Sequence, residues 1–102
     1  MISVLLVDDH PVVVEGLRKL LTQSGEIVIA AEANDAATGI RLARQVQPDV
    51  ILLDLRMPGA TGVQAVRRMR EQDVRSAVII LTSYGDQAYV RQAIEAGADG
   101  YL

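Results

Sequence analysis

Short, unbroken aliphatic runs set the strongest limit on what this chain can become. Ile2-Ser3-Val4-Leu5-Leu6-Val7, Val50-Ile51-Leu52-Leu53 and Val78-Ile79-Ile80-Leu81 show no polar alternation. Runs of this length, rich in Val, Ile and Leu, suit strands buried on both faces, as in a parallel sheet flanked by helices. Ile27–Ala31 and a short Gly100-Tyr101-Leu102 segment complete the strand candidates. Two of the runs end in acid, Asp8-Asp9 after the first and Asp54 after Val50–Leu53. A parallel sheet presents its functional groups at the carboxyl ends of its strands. If these two runs are neighbours, three carboxylates share one crevice.

Segments of helical period lie between the strands. Pro11 suits a first helical position, with φ preset and no N–H to lose. Val13, Leu17, Leu20 and Leu21 then recur at helical spacing, and Gly25 stops the segment. Asn34 or Asp35 caps a second helix whose apolar stripe is Ala36, Ile40, Ala43 and Val46, ended by Pro48. A third runs from about Thr61 to Gln72 with Val63, Val66 and Met69 inward. A fourth starts near Asp86, carries Tyr89, Val90, Ala93 and Ile94, and closes at Gly97. Strand followed by helix, repeated and then closed by a strand, implies right-handed crossovers and helices on both faces of one sheet. No helix follows the last strand, so one sheet face is expected to lack a cover, and residues 1–102 read as a C-terminally truncated fragment.

The 102 residues are the size of one domain. Half are hydrophobic, but Phe, Trp and Cys are absent, so the core is aliphatic and thiolate chemistry is excluded. A formal net charge of -3 argues against gripping nucleic acid unaided. No apolar stretch reaches the ~20 residues of a membrane span, and no basic segment precedes the first apolar run. A soluble cytoplasmic domain is the expectation.

Two carboxylates ~4 Å apart repel by about 1 kcal/mol in water and about 4 kcal/mol at a protein-surface dielectric. A divalent cation makes such a cluster tolerable. Oxygen ligands favour a hard ion, and a site with few protein ligands favours Mg²⁺ over Ca²⁺. One carboxylate then becomes available as a nucleophile. The plainer reading is that strand-end acids cap the following helices; a doublet and a third acid on separate strands weigh against it. Thr82-Ser83 ends another run, where a hydroxyl can donate to whatever binds Asp54. The stretch Arg56-Met57-Pro58-Gly59-Ala60-Thr61-Gly62 fixes a tight path that can aim the Arg56 carbonyl at the metal. His10 reads as a surface or turn residue, Tyr89 as core edge, and Arg67, Arg68 and Arg70 as a solvated helix face. There is no G-x-x-x-x-G-K-[ST] loop and no G-x-G-x-x-G after the first run, so nucleotide binding has no support.

Taken together, Asp8-Asp9, Asp54 before Met57-Pro58-Gly59 and Gly62, Leu81-Thr82-Ser83 and Ala96-Gly97-Ala98-Asp99-Gly100-Tyr101-Leu102 resemble the receiver domain of two-component response regulators. Val4-Leu5-Leu6-Val7-Asp8-Asp9-His10-Pro11, then Gly16-Leu17 and Leu20-Leu21, looks most like the nitrate-response and LuxR-type subgroup. Members of that subgroup carry a helix-turn-helix DNA-binding domain after the receiver. The resemblance implies a flavodoxin-like doubly wound sheet of five strands in the order 2-1-3-4-5. It implies a switch phosphorylated on Asp54 by a sensor histidine kinase, with Mg²⁺ held by Asp9, Asp54, Asp8 (partly through water) and the Arg56 carbonyl. Thr82 and Tyr101 would be the switch pair, and Arg56 and Tyr84 would tune the phosphoryl lifetime. The only catalysis implied is of the domain's own phosphorylation and dephosphorylation. A homodimer is expected, DNA is met only through a domain outside this chain, and no membrane is involved. The family's Lys, two or three residues past the final segment, has no counterpart within residues 1–102. Two other readings stand beside this one. An aspartyl phosphatase wants a second acid two residues after its nucleophile, where this chain has Arg56. A protein-interaction module independent of phosphorylation needs neither metal nor nucleophile.

Overall fold

The computed structural model describes residues 1–57, 60–81 and 87–102. The elements in chain order are β1 (Ile2–Val7), α1 (Pro11–Thr22), β2 (Ile27–Ala33), α2 (Ala36–Val46) and β3 (Val50–Asp54). There follow β4 (Arg56–Met57), β5 (Ala60–Thr61), α3 (Gly62–Glu71), β6 (Ala77–Leu81), α4 (Gln87–Ala96) and β7 (Gly100–Tyr101). Strands β2-β1-β3-β6-β7 form one parallel sheet, the expected 2-1-3-4-5 order of a flavodoxin-like fold. The stretch after Asp54, read from sequence as one tight path, includes a short antiparallel ribbon pairing Arg56 with Thr61 and Met57 with Ala60.

The aliphatic runs are buried as their composition requires. Leu5, Val7, Ile51, Leu53, Val78 and Ile80 point to one face, where α2, α3 and α4 cover them with Ile40, Ala43, Val63, Val66, Met69 and Ala93. Val4, Leu6 and Leu52 point to the other, where α1 supplies Val14, Leu17 and Leu21. Pro11 opens α1, and Asp35 rather than Asn34 caps α2 by accepting from the Thr38 N–H at 2.7 Å. Thr61 and Gln64 form a reciprocal capping box at the start of α3.

Several expectations fail for reasons visible in the packing. The α1 stripe is Val14, Leu17 and Leu21; Val13 and Leu20 are exposed. Arg18 reaches Glu32 of β2 from one flank of α1, at 2.7 Å through both Nε and Nη2. By helical spacing Val13 and Leu20 lie on the opposite flank, which no helix among the described residues covers. Val46, Tyr89 and Ile94 are likewise exposed, leaving Ala93 as the buried residue of α4. Strand β2 is an edge strand that alternates half-buried and exposed positions. A register shift between Val4 and Leu5 skips Ala30, so Ile27 and Ile29 face α1 while Ala31 joins the opposite core. That shift also turns Glu32 toward Arg18.

Arg70 is the largest departure from the sequence reading, because it is no solvated residue. Its guanidinium donates to the Gly97 carbonyl at 2.9 and 3.0 Å, the Val74 and Ser76 carbonyls at 2.6 and 3.0 Å, and Asp99 Oδ2 at 2.9 Å. The same Asp99 oxygen accepts the Val78 N–H at 2.8 Å. One side chain therefore ties the end of α3 to the end of α4 and to the strands that follow each helix. Gly97 permits this with a left-handed φ of 124° and no Cβ, which would lie 2.7 Å from Arg70 Cγ.

Met69 is fully buried whereas Leu20 is 65% exposed. Met69→Ala should cost about 2–5 kcal/mol of unfolding free energy, and Leu20→Ala should stay within about 0.5 kcal/mol. Urea denaturation of the two variants checks the contrast.

Candidate functional site

Strand register brings the acids together. Val7 of β1 lies beside Leu53 of β3, so Asp8 and Asp54 leave the sheet abreast of each other. The Asp8 N–H is anchored to the Ala33 carbonyl at 3.0 Å, and the Leu55 N–H to the Leu81 carbonyl at 3.3 Å, which holds both strand ends to their outer neighbours. Gly62 completes the support. Its N–H donates to the Leu55 carbonyl at 2.8 Å, and an added Cβ would sit 2.8 Å from the Leu55 Cα. Only glycine allows α3 to start that close to the residue after Asp54.

Asp8, Asp9, His10 and Asp54 each offer one ligand atom, and these atoms lie within 4.8 Å of one another. The side chains grade from deep to open: Asp8 is 4% exposed, Asp54 14%, Asp9 30% and His10 60%. The cluster therefore has a floor and an open side. A larger concavity of about 900 Å³ lies among Arg44, Asp49, Asp73 and Ser76, away from these acids, so size does not mark the site.

His10 is the residue that sequence reasoning undervalued. It was expected on the surface or in a turn. Its Nδ1 lies 2.8 Å from Asp8 Oδ1 and 3.2 Å from both Asp9 Oδ1 and Asp54 Oδ2. Its backbone N–H also donates to Asp8 Oδ1, at 2.8 Å. One ring N–H serves one acceptor, and it is directed at Asp8. Among the described residues, Asp9 Oδ1 and Asp54 Oδ2 thus remain buried without a hydrogen-bond partner, although both are within ion-pair distance of the ring. The sequence signal was adjacency: a His directly after two strand-end acids shares their turn.

The electrostatics follow. The hydrogen bond to Asp8 and the charges of Asp9 and Asp8 hold the His10 imidazole above its ordinary pKa. Burial pushes the Asp54 carboxyl up, and the Asp8 and Asp9 charges add to this; the Arg56 N–H, 3.2 Å from Asp54 Oδ1, and the His10 charge oppose it. Orphaned buried carboxylate oxygens facing one small volume are what a hard divalent cation satisfies, so the donor set fits Mg²⁺.

Three neighbouring expectations have different outcomes. Arg56 opens β4 directly beyond the site. Tyr101 sits on β7 with its side chain outward, 61% exposed. Thr82, Ser83, Tyr84 and Asp86, with Pro58 and Gly59, lie outside the described residues.

A family model for the response regulator receiver domain matches residues 4–102. This chain belongs to that family. The receiver is 36% identical over 100 residues to the nitrate/nitrite response regulator NarL of Escherichia coli K12, covering 98% of this chain and 46% of that protein. It is 43% identical over 102 residues to the transcriptional regulatory protein LiaR of Bacillus subtilis, covering 100% and 48%. It therefore spans about half the length of these curated relatives. Among solved structures, the signal receiver domain of NarL from Mycobacterium tuberculosis superposes with a TM-score of 0.93 at 37% identity, covering 99% of this chain and 82% of that one. A LuxR-family two-component response regulator from Aurantimonas sp. SI85-9A1 gives 0.92 at 40%, covering 99% and 72%. The subgroup matches the one that the first strand and helix resembled. A receiver is a signalling module, which sets aside the phosphatase reading. Among the described residues no helix is long and apolar enough to cross a membrane.

The raised His10 pKa has a definite sign in stability. Protonated His10 stabilises the cluster fully below the unfolded value of about 6.5. That contribution is lost as pH rises through the higher folded value. In a chelator, the metal-free receiver should lose melting temperature across that window, and His10→Gln should not; calorimetry at stepped pH reads the difference.

Proposed function

We propose that this receiver is a phosphorylation-switched signalling domain that accepts a phosphoryl group on Asp54 from a sensor histidine kinase. The observation that carries the reading is the convergence of Asp8, Asp9 and Asp54 on one small volume, with Asp54 Oδ2 buried and lacking a hydrogen-bond donor among the described residues. A carboxylate left partly unsatisfied is a better nucleophile than one wrapped in donors.

In the proposed transfer, an Asp54 carboxylate oxygen bonds to phosphorus as the bond from phosphorus to the donor imidazole nitrogen breaks, and the leaving imidazole keeps the bonding pair. Such a transfer is governed by in-line positioning and charge neutralisation more than by covalent help. Bound Mg²⁺ supplies that neutralisation of carboxylate and phosphoryl charge. In this reading Asp9 and Asp54 are direct ligands, Asp8 supports them, and the Arg56 carbonyl completes the protein share. Asp8 also orients His10, and the Arg56 N–H holds Asp54 Oδ1 so that the other oxygen faces the donor.

The phosphoryl group brings about 1.5 to 2 negative charges and three acceptor oxygens. In this reading Thr82, which follows β6 in the sequence, donates to one of them, and Tyr101, outward here, follows by turning inward. Moving a population from 1:99 to 99:1 takes about 5.5 kcal/mol of differential interaction, which several charge-assisted hydrogen bonds can approach. Residues 84 and 56 tune how long the group persists. In the whole regulator the switch controls a DNA-binding output domain, acting as a homodimer in the cytoplasm. This extension rests on relatives named as transcriptional regulatory and response regulator proteins, of which the chain covers about half.

The experiment is treatment with a small acyl phosphate. With Mg²⁺ the chain should gain one phosphoryl mass, and a chelator or Asp54→Asn should abolish it. A modified mass that survives Asp54→Asn, or none with Mg²⁺ present, overturns the assignment. An interaction module independent of phosphorylation predicts no adduct and no thermal response to Mg²⁺.

A further inference from the structure

The acid cluster contains one donor atom for which Mg²⁺ has little use, the ring nitrogen of His10. Its Nδ1 stands 2.8 Å from Asp8 Oδ1 and 3.2 Å from both Asp9 Oδ1 and Asp54 Oδ2. Two neighbouring ligand atoms on one small ion, with bonds of about 2.0–2.2 Å, stand roughly 2.8–3.6 Å apart, from octahedral to tetrahedral geometry. All three spacings lie inside that range. Hydrogen bonding alone does not account for them. The single ring N–H is directed at Asp8, and among the described residues Asp9 Oδ1 and Asp54 Oδ2 have no donor.

The backbone delivers the ring to this place. Pro11 restricts the residue before it to extended conformations, and His10 has φ -101° and ψ 101°. The His10 N–H is bonded to Asp8 Oδ1 at 2.8 Å, which fixes the turn from the other side. The imidazole is therefore pre-positioned beside the acids, at little entropic cost when an ion arrives.

We propose that His10 is a metal-specificity residue: with Asp8, Asp9 and Asp54 it forms a set of one nitrogen and three oxygens that takes Zn²⁺ in preference to Mg²⁺. The inference rests on the proposed reading of the acid cluster as a divalent cation site and adds the ring to it. Imidazole suits Zn²⁺ and its transition-metal neighbours, whereas Mg²⁺ takes oxygen ligands and keeps several waters. On binding, Nδ1 gives its lone pair to the ion and the ring keeps one proton on Nε2.

The choice of ion changes what the site can do. Four protein ligands close a tetrahedral site, whereas a reactive site keeps a position open. Zn²⁺ held by all four residues occupies Asp54 Oδ2, the oxygen that lacks a donor. Mg²⁺ leaves the ring aside and leaves coordination positions to water, which an incoming phosphoryl oxygen can replace. His10 thus makes Zn²⁺ an inhibitor of the proposed phosphorylation.

The test titrates Mg²⁺ alone and Zn²⁺ alone into wild type, His10→Ala, His10→Gln and Asp54→Asn by calorimetry. Wild type should bind Zn²⁺ at least about tenfold more tightly than Mg²⁺. Both His10 variants should lower that ratio at least about tenfold, the least that disturbing a metal ligand costs. Asp54→Asn should weaken both ions. The His10 side chain is 60% exposed, so its replacement should leave the fold intact. Co²⁺ supplies a spectroscopic readout: its visible absorption on wild type should shift in His10→Ala as a nitrogen ligand is lost. With Mg²⁺ and a small acyl phosphate present, the Zn²⁺ concentration that halves phosphoryl uptake should rise at least about tenfold in His10→Ala. An unchanged ratio in either His10 variant, equal losses for both ions, or an unchanged Co²⁺ spectrum overturns the proposal. Binding of neither ion to wild type overturns the cation reading and this proposal with it; Mg²⁺ binding without the Zn²⁺ preference overturns this proposal alone.

Discussion

Parallel pairing of β1 with β3 is the constraint from which the site follows. With Val7 opposite Leu53, the next residue on each strand is an aspartate, and the sheet permits no other arrangement without sliding a buried strand. Repulsion between two carboxylates at close range costs about 4 kcal/mol at a surface dielectric. Each buried aliphatic side chain contributes about 1.5–3 kcal/mol, and β1 and β3 bury Leu5, Leu6, Val7, Ile51 and Leu53 almost completely. The apolar strands therefore hold the acids in a geometry that the acids alone would reject.

A second constraint governs the other half of the sheet. Strand β7 is two residues long and lies at the sheet edge, so its own ladder holds it weakly. Asp99 compensates by accepting both the Val78 N–H and the Arg70 guanidinium. Arg70 in turn saturates carbonyls at the ends of α3 and α4, where helices leave acceptors unpaired. The position of α4 relative to the acid end of the sheet is thus set at the opposite end of the helix from Tyr89.

What could be read from the residues alone was whatever depends on local pattern. The buried strands, the trio of acids and the inward face of α3 follow from unbroken aliphatic runs and from 3.6-residue spacing; the strand order came only with the family resemblance. Long-range partners were illegible. The α1 stripe looked broader than it is because Val13 and Leu20 have the right spacing but face no described element. The flip of β2 at Ala30 is a register effect between two strands, with no mark in either. Arg70 resembles its neighbours Arg67 and Arg68 in sequence, and only the fold brings Gly97 and Asp99 to it. His10 was legible in principle, since it follows two acids, but its three carboxylate neighbours include one 44 positions away in the sequence, at Asp54.

The aspartates of this chain separate into two kinds by their surroundings. Asp35 accepts from the Thr38 N–H and hydroxyl, and Asp49 from the Ser3 N–H and hydroxyl; these donors hold both carboxyls below their ordinary range. Among the described residues Asp54 has one backbone donor on one oxygen, a buried second oxygen without a donor and two acids beside it, and its carboxyl is raised. Residue type and strand-end position do not distinguish a cap from a reactive group; the supply of donors does. Among the described residues the carboxylate oxygens left without a hydrogen-bond donor are on Asp9 and on Asp54 of the central strand, within one cluster, where they are available to a ligand that arrives from outside.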